Sequence, residues 1–342
     1  MCGTMSGMTK IAINGFGRIG RCFFRAAHAA KAPFEIVALN DLGSVENLAY
    51  LLKYDTVYKK FQGSIEVKGG KLVVDGKEIV LTQEKDPAAL PWKAMGIDIV
   101  VESTGFFTDP TKAKAHIDAG AKRVVISAPA KGEGAETILL GANDEKFKGC
   151  QITSNASCTT NAASPLIGIL DEAIGIEKAL LNTTHGYTAS QSIVDGPKDK
   201  DWKEGRAAAQ NIVPTSTGAA KATALAYPQL KDKFDGISLR VPVPAGSMVD
   251  VTFIAKKPTT VEEVNAALKK AAASDQWKKV FTVTEEELVS SDIQGEPYGS
   301  IADLNLTRVV GGNLVKVMAW YDNEMGYAHT LVQHVIKAGE QL

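Results

Sequence analysis

The chain has 342 residues, a formal net charge of −1, 45% hydrophobic residues and 23% charged residues. That length fills the cores of two globular domains, and the near-neutral balance gives no general reason to expect nucleic acid or an anionic membrane as a partner. Four cysteines, Cys2, Cys22, Cys150 and Cys158, with no Cys-x-x-Cys pair, do not read as a disulfide framework; free thiols suit a reducing, cytoplasmic compartment. His329 and His334 lie five apart, which does not stack them on one helical face, so no metal site is expected.

The opening Met-Cys-Gly-Thr-Met-Ser-Gly-Met has neither a basic start nor an apolar core, and reads as a short disordered extension rather than a secretory signal. Cys2 is no strong candidate for acylation, because Gly does not directly follow Met1 and the myristoylation pattern is absent. Lys10–Asn14 then reads as a strand, Arg18–Ala30 as a helix with one apolar face, and Phe34–Leu39 as a second strand ending at Asn40-Asp41. Between Gly63 and Gln83, three apolar runs separated by Gly69-Gly70 and Asp75-Gly76 predict an antiparallel insertion with tight turns. Buried strands follow at Asp98–Glu102, Arg123–Ser127 and Cys150–Ser154.

After residue 158 the pattern changes. A helix is expected from about Asn161 to Ile174, then strands at Ala179–Thr184, Gly236–Val243, Ser247–Ala255 and around Val309–Ala319, with a polar stretch over Gly186–Gln210. Thr260 and Glu263 make a capping box for a helix over Val261–Ala272, and Met325–Ala338 is helical too. The fold class is α/β: a Rossmann-type, doubly wound dinucleotide domain plus an α+β domain with a mostly antiparallel or mixed sheet.

Gly15-Phe16-Gly17-Arg18-Ile19-Gly20 follows a strand, opens a helix, and precedes by 21 residues an acidic residue, Asp41, at the end of the next strand. This context makes Gly-x-Gly-x-x-Gly a dinucleotide fingerprint: Gly15 for the turn, Gly17 for approach of the pyrophosphate, Gly20 for helix–strand packing. The N–H groups at Arg18 and Ile19 offer the positive end of the helix to the phosphates. Asp41 would accept from the ribose hydroxyls and repel a 2′-phosphate, which argues for NAD over NADP.

The second constellation is Ser154-Asn-Ala-Ser-Cys-Thr-Thr-Asn161. A cysteine where a strand ends and a helix opens feels the positive dipole end, which favours thiolate. His185 ends the next apolar strand, and two neighbouring parallel strands would bring it and Cys158 to one sheet edge. Cys22 reads as a helix-face core residue and Cys150 as a strand residue.

With these stretches the chain resembles phosphorylating glyceraldehyde-3-phosphate dehydrogenase, from Lys10 to the C-terminus. The resemblance rests on Asn14–Arg21, Val124–Pro129, Ser154–Asn161, Pro214–Lys221, Leu239–Pro242 and Trp320–Tyr327. It implies a thioester mechanism in which Cys158, ion-paired with His185, attacks the aldehyde of glyceraldehyde 3-phosphate, hydride leaves for the nicotinamide of NAD, and inorganic phosphate releases the acyl group. It further implies Ser157, Thr159, Thr217 and Gly218 for the attacking phosphate, and Thr188 and Arg240 for the substrate's own phosphate. Asn14–Gly20, Asp41, Lys85 and Thr104 would hold the adenosine and pyrophosphate parts of NAD, with Ser127, Asn323 and Tyr327 on the nicotinamide side. A domain division of 1–157, completed by 323–342, and 158–322 is implied, as is a homotetramer in which the loop from Tyr187 to Gln210, with Gly196-Pro197, packs against a neighbour. Where many members carry a second cysteine four residues after the nucleophile, this chain has Ala162. The rival within the same fold is erythrose-4-phosphate dehydrogenase; a protein binding NAD or RNA without turnover, and a bare thiol hydrolase, are the readings from other classes.

Overall fold

The computed structural model describes residues 8–342; the expected N-terminal extension and Cys2 lie outside the described residues apart from Met8. The chain divides into two compact units, the first comprising 8–138, Glu145–Asn155 and Leu331–Leu342, the second Leu139–Asp144 and Ala156–Thr330. Among the described residues no helix is long and apolar enough to cross a membrane.

The main sheet of the first unit is built from β1 (Thr9–Asn14), β2 (Phe34–Asn40), β3 (Ile65–Lys68), β4 (Lys71–Val74), β5 (Lys77–Thr82), β6 (Ile99–Glu102), β7 (Arg123–Ile126), β8 (Glu136–Thr137) and β9 (Ile152–Ser154). They form one sheet in the order β8-β9-β7-β6-β1-β2-β5-β4-β3. All pairings from β8 to β5 are parallel, and β5-β4-β3 is an antiparallel edge. The expected antiparallel insertion forms, and its last strand, β5, also hydrogen-bonds in parallel to β2 and extends the main sheet. β1 has neighbours on both sides, β2 reached through helix α1 (Arg18–Ala29) and β6 reached later. This is the topological switch point where open α/β sheets bind ligands at their carboxyl ends. The inner strands read as nearly continuous apolar runs because both faces are covered, and Ile11, Ile13, Val100 and Val125 are fully buried. Cys22 lies buried on α1, as its helical spacing implied. Cys150 precedes β9 in an irregular segment rather than lying in a strand, its carbonyl taken by the Arg123 guanidinium.

The last helix, Met325–Gly339, contributes the buried His334 to the first unit. Nδ1 of His334 faces Asn155 Oδ1 at 3.1 Å and Nε2 faces Thr153 Oγ1 at 2.8 Å. The carboxamide oxygen can only accept, so Nδ1 carries the proton and Nε2 accepts from the threonine. Burial lowers the pKa of this imidazole to about 3.

The second unit holds β10 (Ile176–Gly186), β11 (Val213–Ser216), β12 (Phe234–Val241), β13 (Ser247–Ala255), β14 (Phe281–Thr284), β15 (Ser300–Asp303), β16 (Arg308–Val310) and β17 (Leu314–Tyr321). Their order is β11-β12-β10-β13-β17-β15-β14, with β16 paired to β17. β10 pairs with β12 and β14 with β15 in parallel, and the remaining pairings are antiparallel, so the sheet is mixed. The single strand expected around Val309–Ala319 is a hairpin, β16 and β17, turning at Gly311 and Gly312 with φ of +60° and +79°. Thr260 caps the helix Val261–Ala272 with the full reciprocal capping box.

Candidate active site

The nucleophile candidate sits at the first position of helix α2 (Cys158–Ala173), three residues earlier than the periodicity predicted. Ser157 is the N-cap, its hydroxyl accepting from Thr160 N at 3.1 Å. Cys158, Thr159 and Thr160 are weak helix formers, so the cap rather than propensity sets this start. Ala156, immediately before the cap, is fully buried with φ of +53°, a left-handed conformation costing an L-residue roughly 1–2 kcal/mol. The Tyr327 hydroxyl donates to the Ala156 carbonyl at 3.1 Å and holds that bend.

Cys158 Sγ stands 3.3 Å from His185 Nε2. The route is not the expected one. Neighbouring parallel strands do not align these residues, because β9 belongs to the first unit's sheet and β10 to the second's. His185 comes instead from the carboxyl end of β10, and Cys158 from the start of a helix packed on that same sheet. The true parallel neighbour of His185 is Arg240, its register partner on β12, whose Nη1 lies against Nδ1. His185 Nδ1 is also 2.6 Å from the Gly186 carbonyl, which we assign as its acceptor; Arg240 Nη1 then donates to that same carbonyl at 3.4 Å and acts on the ring as a charge, not as a hydrogen-bond donor to Nδ1. Nε2 is then the basic nitrogen facing the thiol.

Burial pushes the Cys158 thiol above its ordinary value, although Arg240, the Thr159 hydroxyl and the N–H groups of Cys158 and Thr159 all favour the thiolate. The helix start acts as expected but does not outweigh desolvation. Burial, reinforced by the Arg240 charge, lowers His185 to about 3. Burial thus favours the neutral form of each group taken singly.

Tyr321, at the end of β17, was not legible as a site residue. Its buried hydroxyl meets Thr159 Oγ1 at 2.9 Å and Thr183 Oγ1 at 2.7 Å, and its ring stands edge-on to His185 with centroids 5.9 Å apart. It ties the helix carrying Cys158 to the strand carrying His185; only alternation along β17, which turns Tyr321 inward, hints at this. Asn323 is also fixed: Ser247 Oγ accepts from Gly186 N at 3.1 Å and donates to Asn323 Oδ1 at 2.8 Å. The Asn323 Nδ2 group is thereby left as the donor. Thr188 bonds locally, through Ser190 and Gln191. Thr217 accepts from Ala219 N at 3.2 Å where Gly218 caps the helix Ala219–Ala226.

In the first unit Gly15 has φ of +91°, and a Cβ on Gly20 would lie 2.2 Å from the Gly15 carbonyl oxygen. A Cβ on Gly17 would meet nothing within 4 Å, so this face of the loop is open. Asp41 accepts from Phe16 N at 2.8 Å and Gly43 N at 2.9 Å, joining the glycine loop to the end of β2. The Arg18 side chain pairs with Asp55. Asn14 is buried, its side chain bonded to Glu102 and Asn40, so it supports the loop from beneath. Thr104 is half-buried beside Gly15, Ser127 follows β7, and Lys85 is exposed beyond β5. Phe106, 82% exposed two residues after Thr104, is an aromatic face that the sequence reading passed over. An open glycine loop at a helix start, a carboxylate at the next strand end and an exposed ring fit a dinucleotide.

Comparison with known proteins agrees with both units. The family described as glyceraldehyde 3-phosphate dehydrogenase, NAD binding domain, matches residues 9–110, and its C-terminal domain matches residues 157–323. Among similar proteins, the glyceraldehyde-3-phosphate dehydrogenase of Streptomyces coelicolor is 49% identical over 97% of this chain and 99% of its own. That of Clostridium pasteurianum is 50% identical over 95% of this chain and 97% of its own. That of Mycobacterium avium is 49% identical over 97% and 99%.

Proposed function

The chain belongs to the glyceraldehyde 3-phosphate dehydrogenase family, and from that premise we propose that it converts D-glyceraldehyde 3-phosphate and inorganic phosphate to 1,3-bisphosphoglycerate with NAD. The observation that carries the reading is the 3.3 Å approach of Cys158 Sγ to His185 Nε2. The proton passes from Sγ to Nε2 as sulfur attacks the aldehyde carbon, so the implied ion pair is a state reached by this transfer. The imidazolium gives its proton to the new alkoxide, forming the hemithioacetal. His185 takes that proton back when the carbon is oxidised, leaving a thioester on Cys158. NAD supplies the hydride acceptor for this step. Inorganic phosphate then attacks the thioester, and Cys158 departs as the thiol.

Arg240 and Thr188 hold the substrate's phosphate, the guanidinium fork matching its oxygens. Ser157, Thr159, Thr217 and Gly218 hold the attacking phosphate through hydroxyls and the N–H groups of two helix starts. Asn14–Gly20, Asp41, Lys85 and Thr104 serve the adenosine and pyrophosphate parts of NAD; Ser127 and Tyr327 serve the nicotinamide side, with Asn323 Nδ2 donating to the carboxamide. The NAD-binding domain is read as 1–157 with 323–342, and the catalytic domain as 158–322. A homotetramer is supported by the loop after His185, which exposes Ile193, Val194 and Trp202. A cytoplasmic setting in glycolysis and gluconeogenesis fits the free Cys22, Cys150 and Cys158. The relatives named above do not favour an erythrose-4-phosphate dehydrogenase.

NADH production from glyceraldehyde 3-phosphate should require phosphate or arsenate, and Cys158→Ser should abolish it while NAD still binds. Turnover that ignores phosphate, or survives in Cys158→Ser, would overturn the reading.

A further inference from the structure

Beneath the glycine loop lies a buried polar chain that the reaction itself does not use. His116 and Glu102 are 0% and 2% exposed. Trp92 Nε1 donates to His116 Nδ1 at 3.1 Å. An indole N–H can only donate, so Nδ1 is the acceptor and His116 Nε2 carries the proton. That proton points at Glu102 Oε2, 3.1 Å away, which also accepts from Asn14 Nδ2 at 2.6 Å. The other oxygen, Oε1, takes the Thr104 N–H at 2.8 Å and the Thr104 hydroxyl. One carboxylate therefore gathers four donors in the interior, an arrangement that fixes every participant.

The far end of this chain reaches the dinucleotide loop. Thr104 stands against Gly15, where an added Cβ would come 2.6 Å from Thr104 N. Ser103, its neighbour, donates through Oγ to the Gly15 carbonyl at 2.6 Å and through N to the Asn14 carbonyl at 2.8 Å. The Thr104 hydroxyl proton is committed to Glu102, and Oγ1 also accepts from Phe106 N at 3.0 Å. What Thr104 presents outward is a remaining lone pair. It can receive a hydroxyl or amine and will repel a phosphate oxygen.

We propose that His116 and Glu102 are positioning residues for the dinucleotide. By holding the Thr104 hydroxyl as an acceptor and seating Ser103–Thr104 against Gly15, they select a donor group of the adenosine half at that point. The proposal rests on the assignment of the glycine loop to NAD, and its test separates the two.

Dissociation constants for NAD and for ADP-ribose, the KM for glyceraldehyde 3-phosphate and kcat are measured on the full chain for wild type, His116→Leu, Thr104→Val and the double variant. Each single change should weaken NAD and ADP-ribose by the same factor, roughly fivefold, the size of one neutral hydrogen bond. The KM for glyceraldehyde 3-phosphate should stay put, the double variant should bind no worse than Thr104→Val, and His116→Gln, whose amide can donate to Glu102, should recover most of the affinity. If His116→Leu fails to fold, Glu102→Gln replaces it in the same cycle. Additive losses, unchanged NAD affinity in folded single variants, or a parallel rise in the glyceraldehyde 3-phosphate KM would overturn the proposal. A wild type that bound no NAD would overturn both it and the assignment beneath it.

Discussion

Arg240 and His185 are register partners on adjacent parallel strands, with Arg240 Nη1 against Nδ1 while Nε2 faces Cys158. One cation thus acts on both members of the pair, lowering the pKa of the imidazole and opposing the burial that raises that of the thiol.

Replacing Arg240 with leucine separates these influences. Loss of the positive charge should raise His185 above about 3 and raise the Cys158 thiol further. The pH profile for alkylation of Cys158 by iodoacetamide should move to higher pH, and the KM for glyceraldehyde 3-phosphate should rise by at least roughly tenfold, as for a lost charge-assisted contact. An alkylation midpoint that stayed still or fell would refute the electrostatic role.

The glycine loop predicts two different failures. At Gly17 an added methyl meets nothing within 4 Å, so Gly17→Ala should keep the wild-type melting temperature and lose NAD affinity. At Gly20 the methyl would lie 2.2 Å from the Gly15 carbonyl oxygen, so Gly20→Ala should melt earlier, by an overpacking cost of about 1–3 kcal/mol. Calorimetry alongside NAD titration distinguishes the two; equal melting temperatures would contradict the packing argument.

In the proposed function Asp41 sets cofactor choice by charge. Asp41→Ala should raise the KM for NAD and let NADP compete, because the carboxylate that would face a 2′-phosphate is gone. Its bonds to Phe16 N and Gly43 N also hold the loop, so NAD affinity should fall rather than remain level. Comparing kcat/KM for the two cofactors checks this, and an unchanged ratio would count against the assignment.

Acid should weaken the fold through buried imidazoles. His334 and His185 titrate at about 3 in the folded protein, below the ordinary histidine value near 6.5. Their stabilising contribution is complete above about pH 6.5 and is lost as pH falls towards 3, because the unfolded chain binds the proton first. Each contributes a slope of about 1.4 kcal/mol per pH unit in that window. Urea unfolding between pH 7 and pH 4 should show His334→Gln with a slope smaller by about one proton than wild type. Identical slopes would show that His334 is not held neutral.

Much of the fold and the site was legible because it is local. The Gly15–Gly20 turn, the acid at Asp41, the cap at Thr260 and the thiol among Ser157 and Thr159 are short-range patterns whose physics acts within a few residues. The alternation that placed His185 at a strand end was also local, but its partner was not. Sequence spacing suggested neighbouring strands for Cys158 and His185, whereas strand order put β9 and β10 in different sheets. Parallel pairing across intervening chain brought Arg240 beside His185, and inward alternation on β17 brought Tyr321 beneath both. Such long-range pairings depend on which buried faces match, information spread over the whole chain rather than held in a motif. Charge state followed the same rule: the sequence by itself determined a cysteine at a helix start, which favours thiolate, and only the tertiary structure decided how much water was removed from it. Desolvation is a property of the surrounding core, and here it outweighs the helix end.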